Sequence, residues 1–235
     1  MHPRGFLALL FLLAASTASF AQHAKSDIIA IDILLEPDAI MLEHAMASNA
    51  RLRGVFPKGF TLGDATHTPH ITMLMAFVHQ DDLKKLYAAE KKVFAAVDLK
   101  AIKLEAFKYY YAPAESGFGL LGICARPAPE LVKLQADIIV AARPFVLKAG
   151  SAEAFTARHN DPALDESLAQ FVAAFEQKAT GAKFNPHVST GLAPVEYLDK
   201  LLAEPFEPFT FAPARAAVFQ LGPYGSAAKK LIEWR

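Results

Sequence analysis

Two short stretches, Pro69-His70-Ile71-Thr72 and Asn185-Pro186-His187-Val188-Ser189, dominate the reading of this chain of 235 residues. Each places a histidine two residues before a hydroxyl side chain, inside an apolar run that contains β-branched residues. In an extended strand, residues i and i+2 point to the same side, so His70 shares a face with Thr72, and His187 with Ser189. Two such pairs that face each other would supply two imidazoles for proton transfer and two hydroxyls to hold an oxyanion.

The residues around the first motif predict alternating strands and helices. Apolar, β-branched runs predict strands at 28–35 and 70–78. Helical spacing of apolar residues predicts a helix at 38–52 and a second helix that runs to about 97, with Asp81 or Asp82 as its N-terminal cap. Residues 99–112 and 118–125 flank a turn at 113–117, which is typical of a β-hairpin.

The second motif is followed by the same order of elements. Helices are predicted at 127–142 and 163–179, with a polar loop at 158–161 between them. A strand at 187–192, a helix that starts at Pro194, and strands at 209–221 and 227–234 follow, with a break at Pro213 and a turn at 222–225. A histidine strand, a helix, a strand, a turn and a strand thus occur twice. We therefore expect an α+β fold of two lobes, at about 22–125 and 183–235, joined by a helical connection at 126–182.

The N-terminus resembles a secretory signal peptide. A short charged start with Arg4 precedes the apolar residues 6–15, and Ser19-Phe20-Ala21 is a small-x-small cleavage site. We expect residues 1–21 to be removed and residues 22–235 to act as a periplasmic or secreted protein without a membrane anchor.

Charge and cysteine content narrow the possible functions. Lys+Arg and Asp+Glu both number 24, so the chain lacks the basic footprint that an extended nucleic-acid surface requires. A small phosphate-bearing substrate or a nucleic-acid end remains possible. The single cysteine, Cys124, cannot form an intramolecular disulfide and is expected to be a small buried residue rather than a nucleophile.

The two motifs resemble those of the 2H phosphoesterase superfamily, which includes the bacterial RNA 2′,3′-cyclic phosphodiesterases, also called 2′-5′ RNA ligases. Residues 218–225 also resemble the closing strand and turn of that family. The resemblance implies a bilobal fold in which two antiparallel-rich sheets flank a central cleft with helices outside. It implies that His70 and His187 form the catalytic acid–base pair, without saying which is the acid and which the base, and that Thr72 and Ser189 bind phosphate oxygens. The chain departs from the family in its longer, more helical segment 127–182 and in its expected export.

This chemistry needs no metal and no cofactor. Opening a cyclic phosphodiester requires one group to take a proton from the attacking water and another to give one to the leaving oxygen, which two imidazoles can do near neutral pH. A zinc site at His67, His70 and His79 is the alternative, but His67 and His70 would lie on opposite faces of a strand with no carboxylate or thiol cluster beside them. We therefore expect metal-independent hydrolysis of a cyclic or 2′-5′ nucleotide phosphodiester by a monomer.

Several alternatives stay open. Tyr224 or Phe118 could stack on a base, or could pack in the core or at its rim. Lys183 and Arg158 could attract a phosphate, or be solvated surface charges. The protein could also be a noncatalytic periplasmic binding protein for a phosphorylated ligand, or an RNA 2′-5′ ligase that runs the same chemistry in reverse.

Overall fold

The computed structural model describes residues 27–114, 117–159 and 162–235. The expected signal segment, residues 1–21, lies outside these described residues, as does part of the polar loop at 158–161. Within the described ranges, none of the helices combines the length and apolar character needed to cross a bilayer.

Within the same ranges, the chain forms eight strands and six α-helices. The strands are β1 (Ile28–Pro37), β2 (Ile71–His79), β3 (Leu104–Pro113), β4 (Phe118–Ala125), β5 (His187–Pro194), β6 (Phe209–Phe211), β7 (Pro213–Leu221) and β8 (Ala227–Trp234). The helices are α1 (Ala39–Val55), α2 (Leu83–Ala95), α3 (Pro129–Ala142), α4 (Pro162–Ala173), α5 (Phe175–Lys178) and α6 (Val195–Leu202).

The strands build two four-stranded sheets in which every neighbouring pair is antiparallel. One sheet has the order β2-β1-β7-β8 and the other β5-β4-β3-β6. This confirms the predicted α+β class with two antiparallel sheets. The strand that continues from each histidine motif, β2 or β5, lies at the edge of its sheet.

The two sheets do not follow the two predicted lobes along the chain. The β3–β4 hairpin pairs with β5 and β6, whereas β7 and β8 pair with β1. Each sheet thus contains strands from both halves of the sequence, so the sheets do not coincide with lobes bounded at 22–125 and 183–235. The reason is that each hairpin pairs beyond its own half, a long-range choice that local periodicity does not encode.

Helices pack against the edge strand of each sheet. α1 packs on β5, whereas α3, α4 and α5 pack on β2. β1 is buried along most of its length, with Ile31, Ile33 and Leu35 fully inaccessible to solvent. The burial of these side chains supplies the main driving force for bringing the sheets and helices together.

Two local predictions need correction. The predicted helix at 163–179 is two helices, α4 and α5, because Ala174 leaves the helical conformation at φ −104° and ψ 9°. Asp82 precedes α2 but its side chain makes no capping hydrogen bond; its Oδ1 accepts one from Nζ of Lys85 instead.

Candidate functional site

A β-bulge follows each histidine motif at the same position. On β2, Met73 is the extra residue between the partners of Ile33 and Leu34. On β5, Thr190 is the extra residue between the partners of Leu121 and Gly122. Each bulge therefore comes three residues after its histidine. A bulge bends a strand and changes the direction of its side chains. The same irregularity therefore sets the orientation of both histidine motifs.

The two motifs meet at one cavity of about 480 Å³. His70 and Thr72 line it from the side of β2, and His187 and Ser189 line it from β5. Tyr224, the fifth residue that the sequence suggested, lines the cavity as well. The structure thus brings together all five side chains.

The ring of His70 is held by its Nδ1 atom. This nitrogen lies 2.7 Å from the backbone oxygen of Thr68, which can only accept, so Nδ1 carries a hydrogen and donates it. Nε2 is the ring nitrogen that the backbone does not hold, and it lies 3.3 Å from Oδ2 of Asp32. The side chain of His70 is only 12% exposed, whereas that of Asp32 is fully buried.

Asp32 is a carboxyl group in the middle of the apolar strand β1. Its Oδ2 accepts a hydrogen bond of 2.7 Å from the hydroxyl of Thr72, while Oδ1 has no partner in the described part of the chain. Burial raises the pKa of Asp32, against the opposing effects of His70 and Thr72. Burial alone would lower the pKa of His70, but the Asp32 carboxyl raises it overall. Both directions keep a proton on the pair near neutral pH.

His187 repeats the geometry of His70 with a different partner at Nε2. Its Nδ1 donates to the backbone oxygen of Asn185 at 2.7 Å, again two residues earlier in the chain. Nε2 accepts a hydrogen bond of 2.6 Å from the hydroxyl of Tyr110. Burial, with a smaller contribution from the charge of His70, lowers the pKa of His187 to about 4. Burial raises the pKa of Tyr110, so its hydroxyl keeps its proton.

The two imidazoles therefore differ in charge although they are held alike. At neutral pH His187 is neutral, so its Nε2 can accept a proton, whereas the shifted pKa of His70 favours the form that can donate one. The sequence alone could not distinguish these two states, because the partner groups at Nε2 come from β1 and β3.

The two motif hydroxyls also differ. Thr72 donates its hydrogen to Asp32, so this hydrogen is already engaged. Among the residues that the structure describes, the hydroxyl of Ser189 has no hydrogen-bond partner, and it lines the cavity. Ser189 is therefore the motif hydroxyl that is free to donate to a bound oxyanion.

The segment that joins the two halves forms an apolar wall of the cavity. Leu164, Leu168 and Phe171 recur at helical spacing on α4 and line the cavity together with Phe175 of α5. Phe171 keeps 36% of its surface exposed and packs edge-to-face against Phe175 at 5.8 Å between ring centroids. Lys183 also lines this cavity, and its Nζ donates to the backbone oxygen of Gln177.

A third histidine anchors the turn that carries Tyr224. Nε2 of His159 accepts the backbone N–H of Tyr224 at 3.0 Å, and Nδ1 of His159 donates to Oδ1 of Asp165 at 2.6 Å. Tyr224 itself has a left-handed backbone conformation, with φ of 57°. Such a conformation is unfavourable for a bulky residue and is found where the surrounding structure imposes it. The His159–Asp165 pair supplies this restraint.

The remaining candidates from the sequence lie in structural roles. Phe118 packs against Phe56 at 4.6 Å between ring centroids and is not a cavity residue. Arg158 pairs with Glu153. Cys124 is buried and forms no disulfide, as predicted; its thiol donates to Oδ1 of Asn185, and burial raises the pKa of this thiol.

The histidines of the zinc alternative have separate partners. Nδ1 of His67 lies 2.9 Å from Asp64, and Nδ1 of His79 lies 3.1 Å from Asp27. Within the described residues, no group of three or more histidine, cysteine or acidic side chains is placed to hold a metal ion.

Three functional candidates escaped the sequence reasoning. Asp32, Tyr110 and His159 each contact a group at the cavity, but none belongs to a motif. Asp32 carries the clearest signal, because it is the one charged residue within the apolar run 28–35. Burying a charged group costs free energy unless an opposite charge or a hydrogen-bond donor lies beside it, so such a residue is expected to have a specific partner.

No protein-family model and no curated protein matches the chain. Solved structures with similar folds include TT0787 of Thermus thermophilus, at 13% identity and a TM-score of 0.47 over 88% of this chain and 97% of that one. Usb1 of Kluyveromyces marxianus with uridine monophosphate is 9% identical, with a TM-score of 0.43 over 87% and 97% of the two chains. A protein described as a phosphoesterase is 15% identical, with a TM-score of 0.41 over 88% and 97%.

Proposed function

We propose that the protein is a metal-independent phosphodiesterase of the 2H type that hydrolyses a cyclic 2′,3′ or a 2′-5′ nucleotide phosphodiester. The observation that carries this proposal is the pair His70 and His187. Both donate Nδ1–H to the backbone carbonyl two residues earlier, both line one cavity, and their pKa values are shifted in opposite directions. When two neighbouring titratable groups have pKa values that their environments shift apart, one can act as the acid and the other as the base.

The charge states assign the two roles. Nε2 of His187 takes a proton from the water that attacks phosphorus, and a bond forms between that water oxygen and phosphorus. Nε2 of His70 gives its proton to the ribose oxygen as the bond from this oxygen to phosphorus breaks. The products are a free ribose hydroxyl and a phosphate monoester, and solvent then returns each imidazole to its starting state. Each proton transfer typically contributes on the order of 10²–10⁴-fold to the rate.

Hydrogen-bond donors stabilise the charge that gathers on the nonbridging phosphate oxygens. Ser189 is the free hydroxyl at the cavity, and the Tyr110 hydroxyl can turn from Nε2 of His187 toward the substrate when water or phosphate takes its place. A fixed donor aimed at a developing oxyanion is worth on the order of 10²–10³-fold in kcat. Thr72 contributes through Asp32, because its hydrogen is donated to that carboxyl.

The apolar wall supports a substrate that has a flat organic group next to its phosphate. The side chains of Leu164, Leu168 and Phe171 offer van der Waals surface to a nucleobase, and Phe171 offers a ring on which a base can stack. A cavity of about 480 Å³ suits one nucleoside unit rather than a long chain. The expected signal segment would place this activity in the periplasm or outside the cell.

One observation favours a second candidate, a noncatalytic binding protein for a phosphorylated ligand. In this structure both Nε2 atoms already have an oxygen neighbour, Asp32 for His70 and Tyr110 for His187. Side chains held in this way could bind a phosphate without reaction. The two candidates make different predictions about product formation.

Incubation of the purified protein with 2′,3′-cyclic mononucleotides and 2′-5′ dinucleotides in the presence of EDTA tests the proposal. We expect a nucleoside monophosphate to appear from at least one member of this panel. Tight binding by calorimetry with no product after long incubation would favour the binding protein. Activity that requires an added divalent metal would contradict the metal-independent mechanism.

A further inference from the structure

Asp32 is a carboxyl group buried in an apolar strand. Its burial lowers the stability of the fold unless hydrogen bonds or a charged partner compensate. It lies on the second strand of its sheet, is fully buried, and leaves Oδ1 without a partner in the described residues. An unpaired buried polar atom costs roughly 1–3 kcal/mol, more when it is charged. A purely structural carboxyl would be expected to satisfy both of its oxygens.

The side chain of Asp32 contacts His70, the acid of the proposed mechanism, and Thr72 of the same motif. Oδ2 faces Nε2 of His70 at 3.3 Å and accepts the Thr72 hydroxyl at 2.7 Å. Thr72 fixes the carboxyl, and the carboxyl in turn faces the one nitrogen of His70 that is not held by the backbone. No counterpart exists at His187 in the described residues, where the neighbour of Nε2 is the neutral hydroxyl of Tyr110.

We propose that Asp32 is the positioning residue that keeps the Nε2 proton on His70 before substrate binds, and so makes His70 the acid of the pair. This inference rests on the proposed function for its catalytic meaning, but its physical content concerns only Asp32 and His70. Burial alone would favour a neutral imidazole on both sides of the cavity, and the carboxyl reverses that preference on one side.

Other titratable groups share the surroundings of His70 and must be considered with Asp32. They are Glu36 of β1, His67 of the preceding loop, Tyr110 of β3, His159 before α4, Lys178 of α5, Lys183, His187 of β5 and Tyr224. Of these, Glu36 raises the pKa of His70 through its charge, but it acts less strongly than Asp32, and the backbone oxygen of Thr68 contributes as well. Among the side chains, Asp32 is thus the principal cause.

NMR titration of the imidazole ring nitrogens tests this inference without any need for turnover. Asp32→Asn keeps the size of the side chain and removes its charge, and His70→Ala assigns the His70 signals. We expect the pKa of His70 to be lower in Asp32→Asn than in the unmodified protein. Glu90→Gln is the matched control, because Glu90 is another fully buried carboxyl but is not a cavity residue, and it should leave the pKa of His70 unchanged.

Activity measurements separate this inference from the proposed function. At neutral pH, Asp32→Asn should lose on the order of 10²-fold in kcat, and the alkaline limb of its pH profile should move to lower pH. A lower His70 pKa in a protein that turns over no phosphodiester would support the role of Asp32 and refute the proposed function. An unchanged His70 pKa in Asp32→Asn would overturn the role of Asp32. If this variant fails to fold, the pKa of His70 measured in the unmodified protein tests the inference instead. A value at or below 6.5 would overturn the role of Asp32.

Discussion

Asp32 and Tyr110 occupy the same place relative to the two histidines, since each puts a side-chain oxygen next to Nε2. The oxygen of Asp32 lies 3.3 Å from Nε2 of His70, and that of Tyr110 lies 2.6 Å from Nε2 of His187. The first oxygen belongs to a carboxyl group and the second to a hydroxyl that keeps its proton. Two similar motifs thus acquire opposite proton affinities from strands that carry no motif.

The pH dependence of kcat/KM should be bell-shaped. The base His187 must be neutral, so activity rises as the pH passes its pKa of about 4. The acid His70 must be protonated, so activity falls as the pH passes a pKa raised above 6.5. The two limbs belong to the coupled pair rather than to either residue alone. A profile that keeps rising well into the alkaline range would contradict these roles.

Ser189 and Thr72 should respond differently to substitution. Ser189→Ala removes a free donor at the cavity and should lower kcat on the order of 10²–10³-fold. Thr72→Ser keeps the hydroxyl that Asp32 accepts and should retain most of the activity. Steady-state kinetics of both variants checks this, with Ser151→Ala, an exposed residue outside the cavity, as the control. Equal losses in the Ser189 and Thr72 variants would argue against the distinction.

Phe171→Ala should weaken substrate binding in a protein that still folds. Stacking of a base on an aromatic ring is worth about 1–3 kcal/mol, so KM for a cyclic mononucleotide should rise about fivefold or more. Phe171 is 36% exposed and packs against Phe175, so its loss should lower the melting temperature without preventing folding. Val140→Ala is the control, because Val140 is an exposed apolar residue of α3 that does not line the cavity. An unchanged KM in Phe171→Ala would remove Phe171 from the binding site.

The burial of Glu90 should make the stability of the fold depend on pH, independently of catalysis. It is fully buried on α2, neither carboxyl oxygen has a partner in the described chain, and burial raises its pKa from 4.5 to about 8. Between these values the folded state holds a proton that the unfolded state releases, so the free energy of unfolding falls as the pH rises from about 4.5 to about 8.

Urea unfolding at pH 5 and pH 8 measures this effect. Glu90→Gln cannot ionise, and its stability should therefore decline less between the two pH values than that of the unmodified protein. An equal decline in both proteins would show that Glu90 does not titrate in this range.

The sequence alone predicted those strands and site residues that depend on local patterns. Alternation and β-branched runs predicted β1, β2, β4 and β5 within a few residues, and the spacing of His70 with Thr72 and of His187 with Ser189 placed four cavity residues. Pro213 correctly marked the break that separates β6 from β7.

What the sequence could not supply depends on contacts between distant segments. The exchange of hairpins between the sheets is decided by pairing across the whole chain, so it left no local signal. The bulges at Met73 and Thr190 interrupt a strand without changing its apolar character. Tyr110 lies within the predicted strand at 99–112, but its role depends on a hydrogen bond to His187, which belongs to another strand.

The central claim is that both imidazoles act on one phosphodiester, and substitution of each tests it most directly. Turnover of a 2′,3′-cyclic nucleotide in EDTA should be measured for the unmodified protein, His70→Ala, His187→Ala and His79→Ala, the last being a histidine at the end of β2 that does not line the cavity. We predict that the first and last proteins form product and that the other two, although folded, form essentially none. Product formation near the unmodified rate by either His70→Ala or His187→Ala would contradict the account.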